Sequence, residues 1–235
     1  MNKFIVSTFF LLCNSMISIS FSQDKSDAGW INWTNFKKYV NQNKEVKEKH
    51  KDEFRVVFLG DSIFEGWSVA SPGFFNGKSY FNRGISGQVT AQMLLRFQED
   101  VANLKPNVLV LKAGINDIAE NAGTYDQQKT LNNIKSIVQL AKNNQIKVVL
   151  CSVLPANRFV WRPEIKPADK VIELNKALQA YAKDANVYFL NLYSAVVDDQ
   201  KGMKTIYASD GVHPTIEGYK ILEPLVEQAI IAVKQ

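Results

Sequence analysis

Short runs of apolar, largely β-branched residues constrain this chain more than any other feature. They fall at Arg55–Leu59, Val108–Lys112, Lys147–Val153 and Val187–Leu190, with a weaker one at Ser79–Asn82. Apolar side chains follow one another in them almost without alternation, as in strands covered on both faces of a parallel sheet. Stretches with helical spacing follow or separate them: Thr90–Asn103, Asp126–Asn143, Ala168–Lys183 and Ile216–Val233. Strand alternating with helix predicts one doubly wound α/β domain, a three-layer α/β/α sandwich around a central, mostly parallel sheet of about five strands. At 235 residues the chain is long enough for one such core and short for two.

The first 22 residues have another character. Lys3 leads into an uncharged run from Phe4 to Ile19, followed by Ser20-Phe21-Ser22-Gln23. A basic start, a short apolar core and a small-x-small site predict a secretory signal peptide cleaved near Ser22-Gln23. The run is interrupted by Asn14 and several serines and is short for a membrane span. Leu12 precedes Cys13 where a lipoprotein signal would carry a small residue. The mature chain is therefore expected outside the cytoplasm, secreted or periplasmic, without stable membrane insertion. Residues 23–53 read as a polar, helical amino-terminal lead, with Phe36, Tyr39 and Val40 spaced like a helix face and a charge run from Lys44 to Glu53. Residues 54–235 form the α/β domain. Loss of Cys13 leaves Cys151 alone, so no intramolecular disulfide is expected, and its apolar neighbours mark it as a core residue. The formal charge is +5, yet the lysines are scattered and no basic block appears, which argues against a nucleic-acid partner.

Ligands of a parallel α/β sheet bind outside the carboxyl ends of its strands, and the polar clusters of this sequence all follow apolar runs or precede the last helix. Gly60-Asp61-Ser62-Ile63 leaves a serine hydroxyl where a helix begins, favourable for negative charge developing nearby, although an isolated serine there is most often a helix cap. Asn82-Arg83-Gly84-Ile85-Ser86-Gly87-Gln88 is a glycine-bearing loop; its Ser86 sits in Gly-x-Ser-Gly and so misses the Gly-x-Ser-x-Gly elbow. Gly114-Ile115-Asn116-Asp117 offers a neutral amide donor, or an ordinary Asx turn. Asp210-Gly211-Val212-His213-Pro214 places a histidine three residues after an acid, a spacing at which the carboxylate can orient the ring. The other histidine, His50, lies in a charged run and reads as a solvated bystander.

Taken in order, these four blocks resemble the SGNH hydrolases, also called the GDSL esterase/lipase family, from about Arg55 to the carboxyl terminus. Ile63 stands where leucine is usual. The resemblance implies a flavodoxin-like fold and ester hydrolysis through an acyl-enzyme, with Ser62 as nucleophile, His213 as base and Asp210 orienting it. It assigns the oxyanion hole to the backbone N–H groups of Ser62 and Gly84 and the side-chain amide of Asn116. Asp61 and Asp117 are expected to brace their loops. No cofactor is implied, and a metal-dependent phosphoesterase is disfavoured because one usable histidine leaves few ligands.

The expected partner is a small-molecule or glycan ester. Trp67, Phe74, Phe75 and Trp161 are candidates to line the mouth of the site, with core packing the alternative for each. Arg158 and Arg162 are candidates to meet an anionic or polyhydroxyl group. Export favours O-acetyl removal from carbohydrate, with lysophospholipase, short-chain lipase or thioesterase activity as alternatives. A carbohydrate-binding protein with a dead site would lack one of the site residues. Ser62→Ala and His213→Ala are each expected to abolish hydrolysis of a small aryl acetate in a folded protein; turnover by a folded Ser62→Ala variant would overturn the nucleophile.

Overall fold

A computed structural model describes residues 29–49, 53–208 and 210–234. The signal peptide expected over residues 1–22 and the bystander His50 lie outside the described residues. In chain order the elements are α1 (Gly29–Thr34), α2 (Val40–Lys49), β1 (Val56–Gly60), α3 (Ser62–Ala70), β2 (Tyr80–Gly84), α4 (Thr90–Leu95), α5 (Phe97–Asp100), β3 (Val108–Leu111) and α6 (Ile115–Ile118). They continue with α7 (Gln127–Asn143), β4 (Lys147–Cys151), α8 (Pro167–Asp184), β5 (Tyr188–Leu190), α9 (Tyr193–Val196) and α10 (Ile216–Lys234).

The five strands pair in parallel in the order β2-β1-β3-β4-β5. Strand residues alternate between faces, and each face has its own core. Val57, Leu59, Leu109, Leu111, Val148 and Leu150 pack with Met93 of α4, Phe97 of α5, Ile134 and Val138 of α7 and Leu174 and Leu178 of α8. Val56, Phe58, Val108, Val110, Val149 and Cys151 pack with Phe64 and Trp67 of α3, Val196 of α9 and Leu222 and Val226 of α10. This is the expected three-layer sandwich. Strand order reverses between β1 and β3, where ligands of such sheets bind. Among the described residues no helix is long and apolar enough to cross a membrane.

Local chemistry sets the helix ends. Asp126 caps α7, its side chain accepting from Lys129 N–H, and Pro167 opens α8 where a missing N–H costs nothing. Two expected helices are broken. The Thr90–Asn103 stretch divides at Arg96, which leaves helical geometry as its buried guanidinium reaches Gly60 O, Gln88 Oε1 and Asp100 Oδ2. The lead divides after Thr34, where Asn35 takes a φ of 54°. Its second helix packs Val46 into the first core, so the lead covers the α/β domain.

Gly84, at the end of β2, lies against α3 so closely that a Cβ would stand 2.2 Å from Glu65 N and 2.7 Å from Asp61 O. These are backbone atoms and cannot step aside alone. Gly84→Ala is expected to cost at least about 1–3 kcal/mol, the usual range for overpacking, measured as a lower urea midpoint.

Candidate active site

β1 delivers the turn that carries Ser62. Gly60 has no room for a side chain, since a Cβ would meet Phe64 Cδ2 at 2.7 Å and Lys112 O at 2.9 Å. Asp61, not Ser62, caps α3: it is extended, and its Oδ1 accepts from Ile63 N–H at 3.0 Å. The fully buried Asp61 carboxylate also holds Lys112 Nζ at 3.0 and 3.2 Å, with Lys112 only 1% exposed. Ser62 is therefore the first helical residue, and its own N–H has no acceptor among the described residues.

The loop before α10 brings His213 across the fold. His213 Nε2 lies 2.8 Å from Ser62 Oγ, and Nδ1 lies 2.6 Å from Asp210 Oδ2. The other Asp210 oxygen accepts the N–H groups of Val212 and His213, both at 2.8 Å. Partial burial pushes the Asp210 carboxyl up, but these hydrogen bonds outweigh it and hold the group below the usual carboxylate range. Asp210 thus stays ionised at neutral pH, favours the proton on Nδ1, and leaves Nε2 to accept from the Ser62 hydroxyl. The positive φ of Gly211, 84°, lets so short a loop turn back on itself.

Asn116, in α6 after β3, is buried beside the glycine loop. Its Nδ2 donates to Gln88 O at 3.0 Å and its Oδ1 accepts from Asn121 Nδ2 at 3.0 Å. The second N–H of the amide has no acceptor among the described residues. The expectation for Gly84 is corrected. Its N–H donates to Asn82 Oδ1 at 2.8 Å, and it closes β2 inside the fold. Further along, Ile85 N–H donates to Gly60 O, Ser86 N–H to Glu65 Oε2 and Gln88 N–H to Ile85 O. Gly87 alone in this loop keeps a backbone N–H without an acceptor among the described residues, at a φ of 76° on an exposed turn. Two glycines in Gly84-Ile85-Ser86-Gly87 were the sequence signal; the committed amide at the strand end separates them.

Trp67 is likewise corrected from the site to the core. It is fully buried, stacked on Phe74 at 4.7 Å and on Tyr219 at 5.3 Å, with Nε1 donating to Glu223. Phe74 is buried with it, and Phe75 packs edge-on against Phe58. The i, i+1, i+4 spacing of Ile63, Phe64 and Trp67 already marks one buried helix face. Trp161 differs: 42% exposed and stacked on Phe159 at 5.2 Å, its ring centroid lies 6.1 Å from that of His213. Arg158 is exposed beside the same loop, its Nε 3.8 Å from where a Cβ on Gly211 would stand, and it has no ion-pair or hydrogen-bond partner among the described residues. Arg162 is partly engaged, with Nη2 3.5 Å from Glu120 O and Nη1 3.9 Å from Glu164.

The remaining polar groups are occupied in other ways. Ser86 Oγ donates to Glu65 Oε2 at 2.5 Å. Asp117 accepts the N–H and hydroxyl of Thr90, although burial still pushes its carboxyl up. Burial raises the Cys151 thiol to about 12. Among the described residues no group of three or more His, Cys, Asp or Glu is placed to hold a metal ion.

A parallel three-layer sheet with a Ser–His–Asp chain beyond its strand ends defines a hydrolase-like class of α/β protein. The chain belongs to the GDSL-like lipase/acylhydrolase family, whose profile matches residues 58–221. Members of that family are ester hydrolases. A GDSL-like lipase from Bacteroides thetaiotaomicron is 49% identical, covering 85% of this chain and 98% of that one, with a TM-score of 0.82. An acetylxylan esterase from Xylanibacter ruminicola is 25% identical over 227 residues, 81% of this chain but only 46% of that protein. The chain thus spans less than half of that curated relative. A crystallised acetyl xylan esterase, 21% identical over 75% of this chain and 99% of its own, shares the fold with a TM-score of 0.61.

The Asp61–Lys112 pair generates a stability prediction. Removing one member of a buried pair strands the other charge, at a cost of about 3–5 kcal/mol. Lys112→Met is expected to lose that much in urea unfolding, whereas Asp61→Asn/Lys112→Met, with no stranded charge, loses less.

Proposed function

We propose that this protein is a serine esterase that removes acyl groups, chiefly acetyl groups on carbohydrate, through an acyl-enzyme. The observation that carries the reading is the unbroken contact from Asp210 through His213 to Ser62 Oγ, at 2.6 and 2.8 Å. Ser62 Oγ attacks the ester carbonyl as its proton passes to His213 Nε2. The imidazolium is stabilised by Asp210 and then protonates the departing alcohol. Water attacks the acyl-serine as His213 takes its proton, and the imidazolium returns that proton to Ser62 Oγ as the acid leaves. The oxyanion is held by the N–H groups of Ser62 and Gly87 and the second amide N–H of Asn116; one such donor typically supplies about 10²–10³ in turnover.

Three observations support a glycan ester as substrate. Trp161 offers an exposed ring next to His213 on which a sugar can stack. Arg158 offers a guanidinium without a partner among the described residues, beside Gly211 of the His213 loop. The name of the Xylanibacter ruminicola relative points the same way. We further propose that the chain acts outside the cytoplasm after losing residues 1–22, where such polymers are met.

A fluorophosphonate is expected to label the wild type and not Ser62→Ala. Across aryl esters from acetyl to dodecanoyl, the rate is expected to be highest at acetyl and to fall with length, with acetate also released from acetylated xylan or pectin. A rate that climbs with chain length would overturn the glycan assignment in favour of a lipase or lysophospholipase.

A further inference from the structure

The amino-terminal lead lies outside the residues matched by the family profile, yet it touches the glycine loop from several sides. The Tyr39 hydroxyl donates to Gly84 O. Thr34 O accepts from Gln88 Nε2 at 2.8 Å, and Trp33 O from Gln92 Nε2 at 2.6 Å. Lys38 Nζ pairs with Glu65 Oε1, while Glu65 Oε2 accepts both the N–H of Ser86 at 2.6 Å and its hydroxyl at 2.5 Å. Glu65 lies three residues after Ser62, so one carboxylate joins the helix of the nucleophile, the lead and the residue before Gly87. Asn121 holds the far side of that turn by donating to Gly87 O at 3.2 Å.

We propose that Glu65 is a positioning residue for oxyanion stabilisation: held by Lys38, it grips Ser86 and so fixes the following peptide, whose Gly87 N–H completes the oxyanion hole. This rests on the esterase reading above. Two properties of the contact favour positioning over simple stapling. The Ser86 N–H is one residue before the Gly87 N–H, so rotation of that turn redirects the Gly87 donor. Glu65 is also anchored twice, because the Lys38 ammonium restrains the very carboxylate that holds Ser86. Burial pushes the Glu65 carboxyl up, but the hydrogen bonds from Lys38 and Ser86 bring it below its ordinary value, so the acceptor stays ionised in the working range of a histidine base.

The test compares Glu65→Ala and Glu65→Gln with wild type on an aryl acetate, together with inhibition by an aryl trifluoromethyl ketone. Ser62 Oγ adds to the ketone carbon, its proton passes to His213, and the resulting hemiketal oxyanion occupies the same hole. A displaced donor costs up to about a hundredfold. Glu65→Ala is expected to lower kcat about tenfold to a hundredfold at nearly unchanged KM, and to raise the ketone Ki by the same factor. Glu65→Gln, which keeps one acceptor for Ser86 but loses the ion pair with Lys38, is expected to fall between Glu65→Ala and wild type in both. Circular dichroism establishes that each variant is folded, and should Glu65→Ala fail to fold, Lys38→Met carries the test with the same parallel shift in kcat and Ki. A folded Glu65→Ala protein with kcat within about twofold of wild type, or with its loss confined to KM or thermal stability, would overturn the proposal while leaving the esterase reading intact. Wild-type turnover that survives Ser62→Ala would overturn both.

Discussion

Parallel pairing of β1 with both β2 and β3 is the constraint on which the rest of the structure depends. Helices cover both faces of the sheet, so its central strands are apolar throughout: Val56 to Leu59 and Val108 to Leu111 are all fully buried. Polar chemistry is thereby displaced to the strand ends. At the carboxyl edge, the reversal of strand order between β1 and β3 leaves a crevice. Ser62 enters it from β1, the glycine loop from β2 and Asn116 from β3, while His213 closes it from the loop before α10.

Holding these loops requires charge where the sheet gives no access to water. Lys112 and Asp61 are buried together under the turn that carries Ser62, and Arg96 is buried against Asp100, Gly60 O and Gln88. Such ions are tolerable only when their hydrogen-bonding capacity is filled. Each one therefore fixes the backbone it touches. Arg96 links the end of β1 to the loop beside Asn116, and Asp61 holds the first turn of α3. The geometry of the candidate site is braced by buried polar contacts rather than by packing alone.

Strand positions were legible because continuous apolar runs have one common explanation, and each observed strand falls within its expected run or extends it by no more than two residues. Helix continuity was less so. The break at Arg96 depends on a carbonyl at Gly60, thirty-six residues earlier, which no local window contains. Ser62, Asp210 and His213 stood out as candidates by type and order, and the structure brings them within hydrogen-bond reach of one another. Which glycine of the loop keeps an N–H without an acceptor among the described residues was not legible. Gly84 and Gly87 look alike in the chain, and only the Asn82 side chain, bonded to one and not the other, tells them apart.

The sequence by itself determined the fold class, the order of strands along the chain and the residue types available for acyl transfer, because periodicity and composition are local properties. Tertiary structure alone decided which groups are free to react. Trp67 and Trp161 are both aromatic residues near a polar block, yet one, on α3, is sealed against Phe74 and Tyr219 of α10 and the other stands beside His213. The lead, a polar preamble by composition, becomes a brace for the glycine loop through Lys38, Tyr39 and Thr34. Burial and hydrogen-bond saturation arise from residues far apart in the chain, so they exist only once the sheet has brought its loops together.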